Sequence, residues 1–69
     1  MNPIKQLLLT SGLTQSQLQI VLGLKTVSTV WRWVNEWERY VPSHKNQILL
    51  IKIAKEYGIN FTHDDLSKR

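Results

Sequence analysis

Three glycines, Gly12, Gly23 and Gly58, cut this 69-residue chain, and each closes a stretch whose apolar residues recur at helical spacing. A glycine just past such a stretch reads as a left-handed helix stop. The starts are marked as well. Asn2 before Pro3 offers a side-chain cap and then proline at the first helical position, and Thr14 and Ser43 stand as caps before later segments. Short helices with tight connections are what this punctuation permits. The first ends at Gly12 and sets Ile4, Leu7, Leu8 and Ser11 at helical spacing. The second, about 15–22, has Leu18, Val21 and Leu22 as its apolar stripe, with Gln15, Gln17 and Gln19 facing outward. The third, about 26–36, opens at Thr26 or Ser28 and places Val30, Trp33, Val34 and Trp37 on one face. It must end before Val41, because a residue preceding proline is pushed out of helical geometry. The fourth, about 44–57, runs to Gly58. Ile59-Asn60-Phe61-Thr62 alternates apolar with polar and predicts a short extended segment, and 64–69 adds a terminal turn.

This length makes one domain, 1–69, with a thin core. The chain has no cysteine, so neither a disulfide nor a Cys-ligated zinc holds it together. Hydrophobic residues at 42% and charged residues at 20% are ordinary globular values. The expected fold is all-α, a compact bundle of four or five helices. The longest aliphatic run, Ile48 to Ile51, is far short of the ~20 residues that span a bilayer. Met1 to Lys5 lacks a secretory pattern, which leaves a soluble, cytoplasmic chain as the expectation. The net charge of +4 favours a polyanionic partner. Asp64 and Asp65 are offset by the terminal Lys68 and Arg69, so the rest of the chain carries seven basic and three acidic side chains.

The second and third helices are the informative pair. A helix–turn–helix needs a tight turn with glycine, an apolar plug after it, and apolar anchors on both helices. Thr14 to Asn35 supplies them: Leu18 and Leu22, then Gly23, then Leu24 as plug, then Val30 and Trp33.

The stretches TQSQLQIVLGL and TVSTVWRWVN resemble the phage-repressor and Cro-type helix–turn–helix regulators. The segment YVPSHKNQILLIKIAKEYGINFTHDDL is similar to small prophage Cro-like and YdaS-like regulators, with Val41-Pro42 opening the fourth helix and Gly58 followed by Asp65-Leu66. The resemblance spans nearly the whole chain and implies a lambda-repressor-like domain. Three positions depart from the family pattern. Gln19 replaces a small alanine, the span from Gly23 to Val30 is one residue longer, and Glu36-Trp37 replaces a glycine, which lets the third helix run on another turn.

The resemblance implies a regulator that binds double-stranded DNA with its third helix in the major groove. Subtracting the core stripe leaves Thr26, Ser28, Thr29, Trp31, Arg32 and Asn35 as the base-contacting set. Arg32 can take both O6 and N7 of guanine, and Asn35 suits adenine or a phosphate. Trp31 is either a DNA contact or a lid over the packing of the first two helices. Phosphate contacts are expected from Gln15, at a position where the family touches phosphate, from Lys25 in the turn and Arg39 beyond the third helix, and from His44, Lys45 and Asn46 at the start of the fourth. The bland alternatives are a solvated charge for Arg32 and a first-turn helix residue for Gln15.

His44 and His63 have no cysteine and no short His–His spacing beside them, so no metal is expected, and His63-Asp64-Asp65 reads as a turn or cap. No cofactor is implied, and enzymatic function is not expected, because a thin bundle seldom converges a nucleophile, base and oxyanion hole. Lys52 and Glu56 are expected as a solvated i,i+4 pair. The fourth helix carries more apolar residues than one stripe requires. Leu50, Ile53, Tyr57 and Phe61 are therefore expected as a homodimer interface, which would set two third helices at successive major grooves. The alternative is that this helix is central to the bundle. A second functional reading is an antitoxin-like module that neutralises a protein partner through the apolar surface of the fourth helix.

Overall fold

Side-chain caps fix where the helices begin. In the computed structural model, which describes residues 2–67, Asn2 Oδ1 accepts from the amides of Ile4 at 3.0 Å and Lys5 at 3.3 Å, and Pro3 opens α1 (Pro3–Ser11). Thr14 and Gln17 exchange reciprocal bonds of 3.1 and 2.9 Å, a capping box that starts α2 (Gln15–Leu22). At its far end Gly23 adopts φ 71°, and the amides of Gly23 and Leu24 close on the carbonyls of Ile20 and Gln19. The third helix, α3 (Ser28–Asn35), has no side-chain cap; Val27 precedes it in helical geometry. Ser43 Oγ accepts from Asn46 at the start of α4 (His44–Glu56). Thr62 and Asp65 bond reciprocally, at 2.9 and 3.2 Å, to open α5 (His63–Ser67).

The described residues are all-α, with no strand among them. The third helix packs on α1 and α2, and α4 packs on α2 and α5. Every helix contributes to one core: Ile4 and Leu7, Leu18 and Leu22, Val30 and Trp33, Leu50, Ile53 and Ala54, and Leu66. In α1, α2 and α3 the core pair is spaced by three or four, a single narrow line facing inward, whereas α4 also buries the adjacent Ile53 and Ala54. Leu24 packs against this core as the plug of the α2–α3 turn. Gln47 is the buried polar side chain of the described residues, and both ends of its amide are paired.

Several expectations are corrected. Leu50 is fully buried and Ile53 is 8% exposed, so both belong to the core of one chain and are not dimer-interface residues. The surplus of apolar residues on α4 exists because α4 meets both α2 and α5. Val21 is exposed, since in a two-turn helix only the Leu18–Leu22 line reaches the core. The α3 helix starts at Ser28, the later of the two expected openings, but neither Thr26 nor Ser28 caps it. It also stops at Asn35 without an extra turn, because Glu36 leaves helical geometry at φ −130°, ψ 41°. Residues 59–62 form no strand. The 64–69 turn is the five-residue α5, and positions 68 and 69 lie outside the described residues. No Lys52–Glu56 ion pair is formed, and Gln19 turns inward so that its side-chain amide donates to the Leu24 carbonyl.

Candidate nucleic-acid interface

The core line of α3 decides what its other side offers. Val30 and Trp33 point inward, and Ser28, Trp31, Arg32 and Asn35 are left exposed, with Thr29 half-buried beside them. Thr26 lies exposed in the turn just before the helix. Trp31 is 49% exposed and stands apart from the apolar residues packed on the core. Its place as a lid over the packing of α1 and α2 is therefore not seen. Asn35 is committed locally: its amide donates to the Trp31 carbonyl at 3.0 Å, one turn back. Reading adenine with both ends of that amide requires this bond to break.

The expected phosphate contacts divide. Gln15 lies half-buried in the first turn of α2, and Lys25 is exposed in the turn before α3. Lys45 is exposed in the first turn of α4. His44 is not a free side chain, because its ring stacks on that of His63 with centroids 4.9 Å apart and planes 13° from parallel. Asn46 is half-buried, and its amide N–H is taken by Ser43. Arg39 lies 3.8 Å from the Glu36 carboxylate, the only ion pair among the described residues. Arg32, Lys25 and Lys45 therefore have no carboxylate partner there. An unpaired surface cation keeps its donors and its charge for a polyanion.

A residue that sequence reasoning left unassigned belongs to this surface. The Glu36 carbonyl accepts from the amides of both Arg39 and Tyr40 at 2.9 Å, so the chain folds back at the end of α3. The Tyr40 ring then lies 5.3 Å from the Arg32 guanidinium carbon and 5.9 Å from that of Arg39. Both distances fall within cation–π range. The eight-residue separation of Arg32 and Tyr40 crosses a helix end, and no periodicity links positions across such a break.

The apolar patch expected on α4 is reduced. Tyr57 is exposed and Phe61 half-buried against the core, and Ile48, 50% exposed, is the large aliphatic that α4 leaves open. A groove of about 890 Å³ lies elsewhere, between the start of α1 and residues 58–61. Its charged lining residues are Glu38 and Asp65, which disfavours a phosphate there. Among the described residues no cluster of three His, Asp or Glu could hold a metal, and no helix is long and apolar enough to cross a membrane. No family model, curated protein or solved structure matches this chain.

Proposed function

We propose that the protein is a cytoplasmic, sequence-specific DNA-binding regulator of the Cro-like type that occupies a short palindromic operator and represses by occluding polymerase. The observation that carries this reading is the outward face of α3, where Ser28, Trp31 and Arg32 stand exposed on a helix anchored from behind by Val30 and Trp33. A guanidinium on such a helix with no carboxylate partner among the described residues suits a guanine edge. Lys25 and Lys45 supply the sequence-independent attraction to phosphate. A palindromic operator calls for two copies on the DNA.

Fluorescence anisotropy tests the reading, with the duplex upstream of the protein's own coding sequence and a scrambled competitor, at ~50 and ~200 mM salt. Preference of roughly 10³-fold or more for the upstream duplex is expected. Weak, salt-indifferent binding to both duplexes would reduce the α2–α3 pair to a scaffold. The second reading, a module that captures a protein partner, draws on the exposed Ile48 and Tyr57 of the α4 region. Co-purification with a neighbour-encoded protein that survives high salt is its distinguishing outcome.

A further inference from the structure

We infer that Tyr40 is a positioning residue for Arg32, holding its guanidinium ready for a guanine edge and so setting base discrimination; this rests on the DNA-binding reading above. The turn at Glu36 is what delivers the ring. One carbonyl accepts from two successive amides, and Tyr40 is thereby returned to the last turn of α3, 5.3 Å from the Arg32 guanidinium carbon. Arg39 lies 5.9 Å from the same ring and is paired with Glu36, so two cations approach the one phenol.

The chemistry of the restraint matters. A carboxylate would hold Arg32 just as firmly, yet it would consume the N–H donors that read guanine. An aromatic ring attracts a guanidinium through its face and leaves the in-plane donors unspent. Among the described residues Arg32 has no carboxylate partner, so the ring is the restraint that orients it without competing for its hydrogen bonds. Ordering a long, rotamer-rich side chain before the ligand arrives removes part of the cost of binding. The ring face, not the phenolic hydroxyl, is the working group, so phenylalanine replaces tyrosine and leucine does not.

The test uses two readouts on the intact chain. The first is the Arg32 Nε–Hε resonance of the free protein, which a ring beneath the guanidinium shifts upfield. The second is anisotropy with the tightest duplex selected from a random pool, and with versions in which each G·C pair in turn becomes A·T. Tyr40→Phe is expected to keep the upfield shift and the discrimination. Tyr40→Leu is expected to lose the shift and about two- to fivefold of discrimination at one G·C position, with the salt slope unchanged because no phosphate contact is lost. Full discrimination in Tyr40→Leu overturns the inference. So does a uniform loss across all duplexes with a flatter salt slope, which makes Tyr40 a backbone contact. A wild-type protein that selects no duplex overturns the DNA-binding reading and the discrimination role with it. The Nε–Hε shift then still reports separately whether the stack exists.

Discussion

Gln47 and His63, sixteen residues apart, are joined by a 2.9 Å hydrogen bond that fixes α5 against the start of α4. The Gln47 amide nitrogen donates to the Pro42 carbonyl at 3.1 Å, so its oxygen is the acceptor and His63 donates through Nδ1. One buried amide thus ties the α3–α4 loop, α4 and α5 together. Gln47→Ala leaves the Pro42 carbonyl without this partner and is expected to cost about 1–3 kcal/mol. In a domain this small each kcal/mol lowers Tm by roughly 4–8 °C, which thermal unfolding reads directly. His63→Ala should cost less, because the ring is exposed and the Pro42 bond survives.

Asn2 performs two tasks with one side chain. Its Oδ1 caps α1, and its Nδ2 donates to the carbonyls of Trp33 and Val34 at 2.9 Å each, at the end of α3. Aspartate is ordinarily as good a cap as asparagine. Here Asn2→Asp is expected to destabilise by about 1–3 kcal/mol, because it removes both donated bonds and sets a carboxylate against two carbonyl oxygens. Equal Tm values for Asn2→Asp and wild type would show that capping alone matters.

At Gly23 the backbone conformation, not space, requires glycine. A Cβ built there meets nothing within 4 Å, while φ is +71°. Gly23→Ala should therefore cost about 1–2 kcal/mol, the left-handed penalty alone. Gly23→Asn should cost less, since asparagine tolerates this region. A larger loss in urea unfolding would point to a clash instead.

Leu50 is fully buried within one chain. Leu50→Ala is expected to cost about 2–5 kcal/mol through the cavity left behind. Its Tm should not depend on protein concentration, because the lost contacts are intramolecular. A Tm that rises with concentration in wild type and not in Leu50→Ala would return this residue to a subunit interface.

Arg32→Ala should cost about 1–3 kcal/mol on the preferred duplex and relax the preference at one base pair. Lys45→Ala should weaken preferred and scrambled duplexes alike and flatten the salt dependence by about one unit of slope. Anisotropy titrations over a salt series separate the two, and an unchanged slope in Lys45→Ala removes α4 from the backbone contacts.

Helix starts and stops are local events, and the sequence by itself determined most of them. Asn2, Thr14 and Ser43 cap, and Gly12 and Gly23 close, because those bonds and φ values involve residues within a turn of each other. The inward positions Ile4, Leu7, Leu18, Leu22, Val30 and Trp33 follow equally from spacing. The outward face of α3, with Arg32 on it, is the complement of that line. Tertiary structure decided how many neighbours each helix has. Leu50 and Ile53 resemble a spare stripe in the sequence and are core because α4 meets both α2 and α5. The bonds from Asn2 to α3, from Gln47 to His63 and the approach of Tyr40 to Arg32 join residues across helix ends. Periodicity describes the faces of one continuous helix, and a turn between two helices resets it.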